Sequence, residues 1–222
     1  MTIKRIVDIT VSTLLLLLLS PLMLVVSVAI AITMGAPVIF RQKRPGWLGR
    51  EFDVLKFRTM NDHWGSDGEE LPDYRRETSF GRFLRDTSID ELPQLINVLR
   101  GDMSLVGPRP LMRHFVENCT PRQLRRFEVR PGITGLAQVR GRKALEYDKR
   151  FALDVWYVDN QSLLLDMKIL FATLPIVFYK DGTVELGDVV VPAEQVHPIS
   201  IKASPLEPAT VFDAVQASNP PF

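Results

Sequence analysis

The run between Asp8 and Arg41 constrains this chain most, because it holds no charged side chain. It is long enough to cross a bilayer as one helix, which needs about 20 apolar residues. Three arrangements compete. A cleaved signal peptide would use Lys4 and Arg5 as its basic start and Ala29-Ile30-Ala31 as a cleavage-like triplet, but the apolar run exceeds a usual signal core. A spanning helix would carry Arg41 and everything after it to the far side. A re-entrant helix would break at Ser20-Pro21, near the middle of the run, where proline removes a backbone donor and a serine hydroxyl can bond back to a carbonyl. Basic residues flank both ends (Lys4 and Arg5 before, Arg41, Lys43, Arg44 and Arg50 after), which suits two ends on one face of a membrane.

The rest reads as α+β and mainly helical. Val38-Ile39-Phe40 and Phe52-Asp53-Val54-Leu55, separated by Pro45-Gly46 and Gly49, predict a β-hairpin. Asn61 to Pro72 reads as a polar loop. Phe80, Phe83 and Leu84 predict a short helix, and Leu92, Leu95, Ile96 and Leu99 a clearer amphipathic one. Gly101 to Pro110 reads as irregular. Helices are expected over Leu111 to Val129, interrupted near Thr120-Pro121, over Glu146 to Val158, and over Met167 to Tyr179. The last is too short to span, and it packs in the core or lies in a membrane interface. From about Ala203 the composition turns to Ser, Pro and small residues, as in a disordered tail.

A net charge of +1 argues against binding a bulk polyanion such as nucleic acid, while local basic clusters remain suited to phosphate. Cys119 is the only cysteine, so no intrachain disulfide can form, and it reads as a structural thiol. His63, His114 and His197 lack metal-ligand spacing.

Chemistry concentrates at Asp90-Glu91. Ser88-x-x-Glu91 fits a capping box, so helix capping explains these residues on local pattern alone. The same carboxylates also suit phosphoryl transfer, since a carboxylate can attack phosphorus and Mg²⁺ takes one or two carboxylates with phosphate oxygens. Such a site needs fixed cations. Candidates are Lys56 and Arg58 around Phe57, Arg85 just upstream, and Arg109, held stiffly between Pro108 and Pro110.

Several stretches together resemble the bacterial sugar transferase family, the monotopic polyprenyl-phosphate phosphoglycosyl transferases. They are Lys56-Phe57-Arg58-Thr59-Met60, Thr87 to Leu95 around Asp90-Glu91, Asn97 to Pro110 ending in Gly107-Pro108-Arg109-Pro110, Arg130 to Gly135, Asp154 to Val158, and Asp166. The likeness runs from about Lys4 to Tyr179. Leu136, Lys143 and Gln161 depart from residues frequent in close relatives, as does the segment Asp181 to Val191.

The resemblance implies an enzyme at the cytoplasmic face of the bacterial inner membrane, seated by a re-entrant helix broken at Ser20-Pro21. The implied partners are a UDP-sugar donor and undecaprenyl phosphate, with Mg²⁺ as cofactor and UMP as product. Asp90 is implied as the nucleophile that forms a phosphosugar-enzyme intermediate, with Glu91 linked to proton transfer or the metal. Both carboxylates are thus implied as catalytic residues and metal ligands. Lys56, Arg85 and Arg109 match phosphate-contact positions, and Arg130 and Gly132 lie in a stretch linked with the nucleotide. The expected organisation is a membrane helix over 1–36, a cytosolic domain over 37–190 with the hairpin and interfacial amphipathic helices, and a tail over 191–222. Neither the sugar nor an oligomeric state is legible.

Overall fold

The computed structural model describes residues 2–61, 72–116, 119–141 and 145–178. The expected tail and most of the Asn61 to Pro72 loop lie outside these residues, as does Lys143.

Helix α1 (Ile3–Met34) takes up the apolar run. It is the only described helix long and apolar enough to cross a membrane. It does not end at Pro21. The missing proline N–H leaves the Leu17 carbonyl, four residues back, without its helical donor. Ser20 Oγ donates to that carbonyl at 2.8 Å, so the lost bond is replaced from the neighbouring side chain. One face of α1 lies against the rest of the molecule along the length of the helix. Asp8 and Ser12 are buried near its start, and Val26 and Ile30 near its end. The opposite face exposes Leu14, Leu17, Leu18, Leu24, Val25, Val28 and Ile32.

Strands β1 (Ile39–Pro45) and β2 (Glu51–Phe57) form the expected antiparallel hairpin, from Ile39 opposite Phe57 to Pro45 opposite Glu51. Both strands are longer than their apolar stretches, because Arg41 to Arg44 pair through the backbone whatever their polarity. Two short helices follow, α2 (Asp73–Arg76) and α3 (Ser79–Asp86), the latter capped by Thr78 Oγ1 accepting from the Gly81 N–H. Helix α4 (Gln94–Arg100) carries the amphipathic pattern around Leu95. Its Asn97 is fully buried, accepting from the Leu55 N–H at 3.0 Å and donating to the Asp53 carbonyl at 2.8 Å. This side chain satisfies the open edge of β2 as a third strand would.

The region expected to be irregular holds strand β3 (Ser104–Val106), which pairs in parallel with β4 (Gly132–Thr134). Two three-residue strands meeting across a long sequence gap leave no periodic signature. The helix expected over Leu111 to Val129, with an interruption near Thr120-Pro121, is resolved into α5 (Arg113–Val116), α6 (Pro121–Leu124) and a 3₁₀ turn over Arg125–Glu128. Thr120 and Gln123 form a capping box at α6, with Pro121 in its first turn. Helices α7 (Leu136–Gly141), α8 (Tyr147–Asn160) and α9 (Leu163–Phe178) complete the fold.

The main core gathers Leu95, Leu105, Val106, Leu136, Val139, Leu153, Tyr157 and Ile169, with Val11, Leu15 and Leu16 of α1 packed on it. A second core joins Val26 and Ile30 of α1 to Phe57 and Leu84. Both halves of α1 therefore dock on the same body of protein. Cys119 is buried in a third cluster, and burial pushes its thiol up to about 11, consistent with an inert structural role.

At β3–β4 the backbones approach closely. A Cβ on Gly132 would lie 2.1 Å from the Gly107 nitrogen and 2.3 Å from the Thr134 oxygen, both backbone atoms that cannot step aside. Gly132→Ala is therefore expected to cost roughly 3 kcal/mol or more. A clearly lowered melting temperature of the detergent-solubilised protein checks this.

Candidate active site

Four elements bring the site together: the end of β2, the 3₁₀ turn Ile89–Glu91 ahead of α4, the segment after β3, and the 3₁₀ turn Arg125–Glu128 beneath that segment. Ser88 enters the carboxylate turn in the left-handed region, at φ 57° and ψ 15°, a conformation a serine adopts at a cost of about 1 kcal/mol or more. Its hydroxyl caps nothing. The capping explanation therefore fails at both of its residues, because the Glu91 carboxylate points to two cations instead of a backbone N–H.

Glu91 Oε1 accepts from Lys56 Nζ at 2.7 Å and from Arg109 Nη2 at 2.6 Å, while Oε2 lies 3.5 Å from Arg109 Nη1. Asp90 is buried beside it, with Oδ2 at 3.5 Å from the same lysine. The neighbouring carboxylates thus live in different environments. Burial raises the Asp90 carboxyl above its ordinary range, against the pull of Lys56 and with a push from Glu91. Burial would raise Glu91 as well, but the charges of Arg109 and Lys56 outweigh it and hold the carboxyl at about 2. Glu91 is a fixed anion that sets two cations in place. Asp90 is a poorly solvated carboxylate of higher basicity, the better nucleophile of the two.

Arg109 is braced from behind. Arg126 Nη2 donates to the Arg109 carbonyl at 2.6 Å and pairs with Asp154 Oδ2 at 2.9 Å, with both partners buried. The Arg126 guanidinium lies 5.1 Å from the centre of the Phe151 ring. Upstream, β3 is held by the first turns of α1. Asp8 accepts from Ser104 Oγ at 2.8 Å and from the Leu105 N–H at 3.1 Å. Lys4 Nζ donates to the Val106 carbonyl at 3.1 Å and to Asp166 Oδ2 at 2.6 Å, and Tyr157 donates to Asp166 Oδ1 at 2.6 Å. The apolar helix is thereby bolted to the strand that leads into Gly107-Pro108-Arg109.

The remaining candidates have other partners. Arg58 is buried at the C-terminal end of α1, donating to the carbonyls of Met34, Gly35 (2.8 Å) and Ala36 (3.1 Å), where it satisfies the last turn of that helix. Arg85 donates to Thr59 Oγ1 at 2.9 Å and pairs with Glu77 at 3.3 Å. Arg130 sits at the far end of α4 from the carboxylates, donating to the Gly101 carbonyl at 2.8 Å, with its guanidinium 4.2 Å from the centre of the Trp47 ring. Gly132 is part of the close β3–β4 approach. Ser20 and Pro21 lie midway along α1.

The supporting roles of Asp8, Arg126 and Asp154 are not evident from the sequence. Asp8 left a trace, as an acid in the second turn of an otherwise apolar helix. Asp154 lies in a stretch that carries the family resemblance, but nothing in the sequence pairs it with Arg126, because the two are distant in the chain.

Two carboxylates of unlike basicity, with a lysine and a braced arginine converging on them, are an arrangement chemically suited to anionic, phosphate-bearing groups. Two adjacent carboxylates also suit Mg²⁺, which completes its shell with phosphate oxygens and water. Among the described residues there is no group of three or more His, Cys, Asp or Glu side chains that would hold a metal without such help.

The chain belongs to the bacterial sugar transferase family, whose profile matches residues 1–180. It is 50% identical over 182 residues to a Bacillus subtilis (strain 168) protein described as the uncharacterized sugar transferase EpsL, covering 82% of this chain and 90% of that one. It is 44% identical over 191 residues to a UDP-glucose:undecaprenyl-phosphate glucose-1-phosphate transferase of Caulobacter vibrioides, covering 81% of this chain and 71% of that one. It is also 41% identical over 197 residues to an undecaprenyl-phosphate galactose phosphotransferase of Salmonella typhimurium, where it covers 81% of this chain and 41% of the larger relative.

Proposed function

We propose that the protein transfers a sugar-1-phosphate from a UDP-sugar to undecaprenyl phosphate, the first membrane step in building a bacterial glycan or glycoconjugate. The observation that carries this is the Asp90–Glu91 pair, in which one buried carboxylate of raised basicity stands beside another that holds Lys56 and Arg109. The named transferases from Caulobacter and Salmonella support the two substrate classes.

In the first step an Asp90 oxygen bonds to the β-phosphorus as the bond from that phosphorus to the bridging oxygen breaks. The electron pair leaves on that oxygen, with UMP. In the second step an oxygen of undecaprenyl phosphate attacks the same phosphorus, and the acyl–phosphate bond breaks to restore the Asp90 carboxylate. Lys56 and Arg109 hold the phosphoryl oxygens in line and offset their charge. Mg²⁺, held by Asp90 and Glu91 with the diphosphate, would supply further charge neutralisation.

The seat in this reading is monotopic. Lys4 and Asp8 are tied to β3, and Val26 and Ile30 pack on Phe57 and Leu84. A spanning α1 would require that single docked body to extend through the hydrocarbon core, about 30 Å thick. Helix α9 adds a second apolar face, exposing Leu163, Leu164, Met167, Phe171 and Leu174 beside α1. Both faces suit the cytoplasmic leaflet of the inner membrane, where the donor is soluble and the acceptor is embedded.

The test uses UDP-sugars labelled in the sugar and offered without acceptor. Stoichiometric label on the protein with release of UMP is expected, followed by discharge of the label on adding undecaprenyl phosphate. Turnover with no protein-bound label at any time would reject the two-step path.

A further inference from the structure

The carboxylate site is electrically balanced before any substrate arrives. Lys56 and Arg109 face Asp90 and Glu91, two cations against two anions. A diphosphate brings further negative charge, which a basic side chain not already neutralised would help to offset alongside Mg²⁺.

The hairpin supplies one. Residues opposite each other in an antiparallel pair share a face, and that face alternates along each strand. Lys56 pairs with Phe40, Val54 with Gln42, and Phe52 with Arg44, so Arg44 and Gln42 lie on the face that carries Lys56. The levels of Arg44 and Lys56 are about 13 Å apart along the strand. The segment that carries Arg109 bridges this interval. It is tied at the Lys56 end through Glu91, and at the level of Arg44, Arg113 Nη1 reaches the exposed Glu51 carboxylate at the strand end, at 3.0 Å.

Arg44 is half-buried, and its hydrogen-bonding partner is the neutral Gln42 Oε1 at 2.5 Å. No described carboxylate lies within ion-pair distance of it. Among the described residues, Lys56 is paired with Glu91, Arg126 with Asp154 and Arg113 with Glu51. Burial and the nearby charge of Arg109 both lower the Arg44 pKa, as expected for two guanidinium groups with no anion between them.

We propose that Arg44 is a third phosphate-binding cation of the active site, completing a cradle with Lys56 and Arg109 for a substrate phosphate. The proposal rests on the phosphoryl-transfer reading above. Gln42 holds the guanidinium on the hairpin face until the anion arrives. The phosphate belongs either to the diphosphate of the donor or to the lipid acceptor, and the arms of the test separate these.

The test compares Arg44→Met with Arg44→Lys in the full-length chain in detergent. Both keep an unbranched stem, and Arg44→Lys keeps the positive charge that Arg44→Met removes. Binding of inorganic pyrophosphate by calorimetry is expected to weaken about tenfold in Arg44→Met and to stay within about threefold of wild type in Arg44→Lys. A tenfold higher KM for UDP-sugar in the protein-labelling step assigns the contact to the donor. Unchanged labelling with a tenfold higher KM for undecaprenyl phosphate assigns it to the acceptor. Equal pyrophosphate affinity in the Met and Lys variants overturns the proposal, whatever their melting temperatures. If UDP-sugars prove not to be donors, the labelling arm is silent in wild type too, whereas the pyrophosphate comparison still decides on Arg44.

Discussion

Asp90→Asn is expected to abolish sugar-phosphate transfer, with a loss on the order of 10³-fold or more, because an amide oxygen cannot serve as the attacking nucleophile. The substitution keeps the size of the side chain and removes a buried charge. Burial penalises the charged form of Asp90 more than Lys56 compensates it. The melting temperature should therefore hold or rise slightly. The decisive readout is label on the protein from UDP-sugar without acceptor, present in wild type and absent in Asp90→Asn. Near-normal turnover in the variant would falsify the covalent mechanism. A non-catalytic scaffold with the same fold predicts no difference between the two proteins in any transfer assay.

Arg109→Lys should lower kcat/KM by about 10²- to 10³-fold. The guanidinium reaches both oxygens of Glu91, at 2.6 and 3.5 Å, while its own backbone is gripped by Arg126. An ammonium keeps the charge but cannot make that fork. The change also has a pH signature. Glu91 titrates in the folded protein near 2, below its ordinary value of 4.5. Its contribution to stability is therefore fully present above about pH 4.5 and is lost as the pH falls towards 2. With the fork gone, the folded pKa rises and that contribution disappears at higher pH. Acid unfolding of Arg109→Lys, followed by circular dichroism, should begin at higher pH than in wild type. Identical acid-unfolding curves would mean that Arg109 does not set the state of Glu91.

The arrangement around Arg109 links the membrane seat to the chemistry. Lys4 and Asp8 reach β3 from the apolar helix, and β3 runs into Gly107-Pro108-Arg109. The N-terminal helix is therefore part of the scaffold of the site as well as its attachment. Removing it to obtain a soluble protein also removes the brace on β3.

Much of this was legible in the residues. The uncharged run gave α1, the Pro-Gly signals gave the hairpin, and the Thr120-Pro121 interruption fell at the start of α6. Ser20 bonds back to a carbonyl as its position next to Pro21 suggested, although the helix continues through that point. The β3–β4 pair was not legible, because three-residue strands owe their pairing to glycines that let two distant backbones touch. Arg58 illustrates the same limit. Two residues from Lys56 in the chain it looks like a second phosphate ligand, but the nearby end of α1 engages it through backbone carbonyls.

By itself, the sequence determined the apolar helix, the hairpin and the Asp90-Glu91 pair within its basic surroundings, all of which rest on local pattern or short spacing. The tertiary structure alone decided which cations meet the carboxylates. It selected Lys56 and Arg109 and gave Arg58, Arg85 and Arg130 other partners. It also separated the carboxylates, burying Asp90 and pairing Glu91, because charge and solvation depend on neighbours that are distant along the chain.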